Sequence, residues 1–105
     1  MARAIYKSLL RSTILTVHGV NARWLTVTRV QEIVKGRIAW EGDVETFELT
    51  KHPEAKYCYA WSMETPNGTA VLTALKIPPV ISPQTAIHEA FVQDKMNPKR
   101  INLNK

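Results

Sequence analysis

Hydrophobic and polar positions alternate most regularly in "KYCYAWSME" (56–64) and "TAVLTALKI" (69–77). A period of two is the mark of a β-strand. Between the runs, Asn67-Gly68 supplies the positive-φ residues of a tight turn. Pro66 has no N–H, which favours a four-residue loop with Glu64 opposite Thr69, and any loop of even length gives the same facing. Tyr57, Tyr59, Trp61 and Met63 then share a face with Ala70, Leu72, Ala74 and Lys76, while Cys58, Ala60 and Ser62 share the other with Val71, Thr73 and Leu75. Large residues meet small ones on both faces, as an evenly packed sheet requires.

Upstream, "IAWEGDVETFELT" (38–50) reads as another strand, with Trp40 and Val44 in one phase and Phe47 and Leu49 in the opposite one. A β-bulge near Glu45–Thr46 would bring all four onto one face. Its acids suggest an edge strand with a charged outer side, and "HPEA" (52–55) makes the next turn. Downstream, Pro78-Pro79 imposes an extended crossing. Ser82 is a good N-cap, Pro83 suits the first helical position, and Ile81 and Ala86 can form a hydrophobic staple. Ile87, Ala90 and Phe91 follow helical spacing, Pro98 ends the helix, and 98–105 is expected to be a flexible basic tail.

The first third is more ambiguous. "TILTV" (13–17) looks like a strand. Val27, Val30 and Val34 share one helical face, yet Thr26-Val27-Thr28 favours a strand; a helix opened by Thr28, with Gln31 completing a capping box, reconciles them and leaves 21–27 open. The expected fold is α+β: a small antiparallel sheet of three or four strands in the order β-α-β-β-β-α, with helices packed on one face. From residue 28 the order helix, three strands, helix is similar to the topology of double-stranded RNA-binding domains. That resemblance implies a basic start to the second helix, to clamp phosphates, near "SPQTAIHEA". No lysine or arginine stands between Lys76 and Lys95, so the chain departs from the family there.

Composition narrows the class. A chain of 105 residues, 45% hydrophobic and 22% charged, suits one soluble domain, expected over 1–97. The lone Cys58 has no disulfide partner and no neighbour for a zinc knuckle, which points to a reducing cytoplasm. The opening "MARAIYKSLLRSTILTVHGV" superficially resembles a signal peptide, but Arg11 interrupts its apolar run and no small-x-small cleavage site follows. No uncharged apolar run approaches the ~18 residues of a membrane span. The formal charge of +5 is unevenly spread: residues 1–37 hold seven basic residues against Glu32, and 38–64 hold two against six acids. Such asymmetry suits an anionic partner or a dimer with complementary faces.

Three functional readings follow. The leading one is a non-enzymatic binding or assembly module that homodimerises through its sheet, with Tyr57, Tyr59 and Trp61 as core, interface or ligand platform. Two apolar sheet faces with little helix to cover them motivate it. The second is a nucleic-acid-binding accessory protein using the basic N-terminal third, with Arg11, Arg23, Trp24, Arg29, Lys35 and Arg37 as candidates. The third is a small ligand-binding protein or enzyme with a pocket near Trp40, His52, Cys58 and Tyr59. No catalytic constellation supports an enzyme: "HEAFV" carries Val92 where a zinc motif needs its second histidine. Asp43, Glu45 and Glu48 do not follow a calcium loop, so neither metal nor cofactor is expected.

Overall fold

Leu10 and Ile14, four residues apart, are both completely buried, and this spacing makes a helix of the opening segment. A computed structural model describes residues 2–93, 95 and 96 and places α1 at Ala2–His18. Its end is closed by Gly19, whose N–H donates to the carbonyl of Leu15 at 2.9 Å. Four strands follow: β1 (Ala22–Val34), β2 (Arg37–Leu49), β3 (Tyr57–Thr65) and β4 (Gly68–Leu75); α2 (Pro83–Val92) closes the order. The sheet is an antiparallel meander, β1-β2-β3-β4.

The α+β architecture with an antiparallel sheet and two helices is therefore the one expected, but the first third differs. Residues 13–17 belong to α1 rather than to a strand, because the packing of Leu10 and Ile14 outweighs the strand preference of Thr13, Ile14 and Val17. Residues 28–34 are strand rather than helix, paired throughout with β2. The order is α-β-β-β-β-α, and the helix-first topology expected from residue 28 does not form. The segment 98–105, expected as a basic tail, and Pro98 lie outside the described residues.

The helices lie on opposite faces of the sheet rather than on one. Leu10 and Ile14 of α1 pack with Phe47, Leu49, Cys58 and Ala60. Ala86, Ile87 and Ala90 of α2 pack with Val30, Val44, Tyr59, Trp61 and Met63. This arrangement accounts for the two phases of β2. Val44 serves the α2 face and Phe47 and Leu49 the α1 face, with no bulge at Glu45–Thr46. The irregularities fall elsewhere: Leu25 is the extra residue of β1 between Trp24 and Thr26, and Ala39 is the extra residue of β2 opposite the step from Glu32 to Ile33. Nor is β2 an edge strand: it lies between β1 and β3.

The β3–β4 pairing has the expected register, with Tyr59 opposite Ala74, Trp61 opposite Leu72 and Glu64 opposite Thr69. A further pair, Thr65 with Gly68, makes the loop two residues, Pro66 and Asn67, rather than four, and of Asn67 and Gly68 only Gly68 takes a positive φ. Helix α2 begins as read from the sequence, with Ser82 as N-cap and Pro83 beginning the helix. Ser82 Oγ accepts from the Thr85 N–H at 3.1 Å, and Thr85 Oγ1 accepts from the Ser82 N–H at 2.9 Å. The expected partner of a staple, Ile81, stays largely exposed.

The β2–β3 ladder is short, joining only 45–48 to 57–60. Beyond it the two hairpins diverge around a cleft of about 320 Å³, lined by Trp40, Asp43, Ser62, Met63 and Glu64 among others. At its edge Trp40 lies over Gly42, where an added Cβ would fall 2.6 Å from the ring; only glycine fits beneath it.

Candidate functional site

The charge asymmetry of the sequence is settled in part within the fold, where three of the seven basic residues of 1–37 pair with acids of β2. Basic residues of α1 and β1 meet the acids of β2: Arg23 pairs with Glu48, and Arg29 with Asp43 at 3.2 Å and Glu41 at 3.8 Å. Arg23–Glu48 and Arg29–Asp43 are also cross-strand neighbours, so antiparallel register turns a charge block into ion pairs. Arg11 donates to Ser8 on the exposed side of α1, and Lys35 and Arg37 flank the β1–β2 turn. Arg23 lies at the start of β1 and Lys35 just past its end. The candidate nucleic-acid residues are not gathered into one patch.

Trp24, counted among them, is structural. Its Nε1–H donates to Glu45 Oε1 at 2.7 Å, and Lys7 Nζ stands 3.4 Å above its ring. Glu45 is completely buried and is held also by Arg3 Nη2 at 2.8 and 3.0 Å. A buried carboxylate needs such a set of donors. On the opposite face a second buried carboxylate, Glu32, ties β1 to α2 by accepting from His88 Nδ1 at 3.0 Å and Gln84 Nε2 at 3.2 Å. That contact raises the His88 pKa above its ordinary value of 6.5.

Trp40, His52 and Cys58 do not converge. Trp40 packs on the α2 side and Cys58 lies under α1. His52 Nδ1 accepts the N–H groups of Glu54 and Ala55 at 3.0 and 3.1 Å, which fixes the β2–β3 turn. Burial pushes the Cys58 thiol up to about 12, so it holds no thiolate at neutral pH. Among the described residues no three His, Cys, Asp or Glu side chains gather as a metal-ligand set, and no helix is long and apolar enough to cross a membrane.

Of the aromatic row, Tyr59 and Trp61 are core residues beneath α2. Tyr57 is half-buried, with the ammonium groups of Lys76 and Lys56 at 5.4 and 5.7 Å. The expectation of a second subunit rested on an uncovered sheet face, and each face carries a helix.

Besides the cleft between the hairpins, a second place in the molecule is incompletely filled. Between β4 and α2 lies a cavity of about 220 Å³, walled by Trp61, Leu72, Ala74, Val80, Ala86 and Ala90. Helix α2 turns alanines toward the sheet here, and Ala74 lies opposite Tyr59 on β4; small side chains leave the space. Glu89, Gln93, Lys95, Thr73 and His18 also line it. His18 Nε2 is occupied by Thr73 Oγ1 at 2.9 Å, and burial lowers the His18 pKa, with His52 adding to the effect. Trp61 is only 1% exposed, and its Nε1 is the sole buried side-chain nitrogen or oxygen without a hydrogen-bond partner among the described residues. Sequence reasoning marked Trp61 as a candidate, but not the cavity, which depends on how α2 docks. Comparison with protein-family models, curated proteins and solved structures finds no match.

Proposed function

We propose that this chain is a non-enzymatic binding module whose site is the cavity between β4 and α2, occupied by a small organic ligand. The observation that carries this reading is the pocket itself, whose apolar wall of Trp61, Leu72, Ala74, Val80, Ala86 and Ala90 opens between β4 and α2 past the polar Glu89, Gln93 and Lys95. An apolar concavity with a few polar groups at its mouth is the usual form of a small-molecule site. A binding role also suits the inert Cys58 and the separation of Trp40 and His52 from it.

The test is a fragment screen followed by ¹H–¹⁵N correlation spectra. Ligands of this module move the amide signals of 71–75 and 86–93 together with the Trp61 indole signal. Shifts confined to other surfaces, or none from any fragment, would remove the cavity as the site.

A further inference from the structure

Apart from the ligand reading, we infer that the open edge of β4 is an interaction surface, which pairs antiparallel with the β4 edge of a second copy of this chain. β4 ends the sheet, so β3 lies on one side of it and no strand on the other. The register fixes which backbone groups face outward. The N–H of Lys76 donates to the carbonyl of Tyr57 at 2.9 Å, one step beyond the Cys58–Leu75 pair. Bonded and unbonded pairs alternate in an antiparallel ladder. Ala74, Leu72 and Ala70 therefore bond to β3, while Leu75, Thr73, Val71 and Thr69 turn their N–H and C=O groups outward. Among the described residues only the Leu75 carbonyl is engaged on that side, by the N–H of Ile77 at 2.8 Å.

Sheets guard an open edge with charge, proline or a bulge. The other edge strand of this sheet does so: β1 carries Arg23, Arg29 and Glu32, and Leu25 bulges from its ladder with β2. β4, "GTAVLTAL" (68–75), has no charged residue and no proline, and its pairing with β3 is unbroken from end to end. One edge is protected against further pairing and the other is left free to accept it. The α2 face of β4 is unfinished as well. Helix α2 lies nearest β1 and β2, so Ala70, Leu72 and Ala74 are only half-buried on that face.

These features select the occupant. Alternating backbone donors and acceptors along an edge are met by an extended chain, and an apolar row beside them calls for an uncharged one. β4 itself has that character. Two copies pair self-complementarily about a two-fold axis at Leu72. Val71 of each copy then meets Thr73 of the other in bonded pairs, and the two Leu72 side chains lie side by side on the α2 face. The joined sheet ends in a guarded β1 on either side, so assembly stops at two copies.

The test is residue-by-residue amide hydrogen exchange on the full chain, from low micromolar to millimolar concentration, alongside sedimentation. The expected result is a monomer–dimer equilibrium in which the Val71 and Thr73 amides slow about tenfold or more as concentration rises. The Leu72 and Ala74 amides, bonded to β3, should be protected throughout. Val71→Pro removes an outward N–H and no β3 bond, a change that edge strands tolerate. It should weaken association about tenfold or more. If this variant does not fold, exchange in the unaltered chain decides. A chain that stays monomeric at millimolar concentration, or a dimer whose Val71 and Thr73 amides exchange freely, overturns the inference. Slow exchange of both amides in a monomer overturns it too, because the edge is then covered from within the same chain. The ligand reading stands or falls separately, on the fragment screen.

Discussion

The two faces of the sheet each carry a tryptophan beneath or beside a helix, and the two are treated differently. On the α1 face, the half-buried Trp24 gives its N–H to Glu45, and Arg3 completes that carboxylate's partners. On the α2 face, the more deeply buried Trp61 gives its N–H to nothing and borders a cavity. The α1 face shows how this fold satisfies a buried polar group. The open face departs from that standard at one atom and beside one cavity.

The largest break in this comparison comes from Arg3→Met. It takes from the buried Glu45 its half-exposed charged partner and leaves it Trp24 alone, and a buried carboxylate short of donors should cost about 3 kcal/mol in urea unfolding. A loss near zero would mean that Glu45 is solvated in solution and that the α1 face is less closed than described. Next, Trp24→Phe should cost about 2 kcal/mol, mainly through a hydrogen bond to a charged group, and Trp61→Phe only about 1 kcal/mol. The more deeply buried ring is then the less costly to truncate, an inversion of the usual burial order. If Trp61→Phe proves the costlier, its N–H has a partner and the contrast disappears.

The smallest effect is a pair of opposite pH slopes. Glu32 raises the His88 pKa in the folded state, so this contribution is complete below about 6.5 and is lost as pH rises through the elevated value. Burial lowers the His18 pKa, so its contribution is complete above about 6.5 and is lost as pH falls toward the depressed value. Urea midpoints at pH 5, 6.5 and 8 should therefore lose their alkaline-side decline in His88→Ala and their acid-side decline in His18→Gln. Neighbouring Glu89 reinforces the first effect, so Glu89→Gln should weaken it without abolishing it.

Local chemistry made the second half of the fold legible. Strict alternation and a loop of even length set the β3–β4 register, and Ser82-Pro83 marked the start of α2. The first third misled for physical reasons. In β1, Val27, Val30 and Val34 match helical spacing, but only Val30 is buried, and Val27 and Val34 stay exposed on an edge strand. In α1, the β-branched residues of 13–17 describe local preference, whereas Leu10 and Ile14 answer to a sheet assembled much later in the chain. The opposed phases of β2 mark a strand buried on both sides, and a search for one common face turned that signal into a bulge. Of the site, only Trp61 was visible, because alternation places it on a face. Its missing acceptor depends on which side chains α2 brings across, and no pattern along the chain encodes that.

The helix that comes first in the chain is among the last parts able to find its place. Leu10 and Ile14 share their cluster with Phe47, Cys58 and Ala60, so their apolar face has no complete seat until some sixty residues have been joined. As the chain leaves a ribosome, the β1–β2 hairpin can close on neighbouring residues while α1 waits, its greasy side available to a chaperone. Arrival of β3 ends that interval by supplying Cys58 and Ala60 at once. Birth order and assembly order thus run in opposite directions at this end of the molecule.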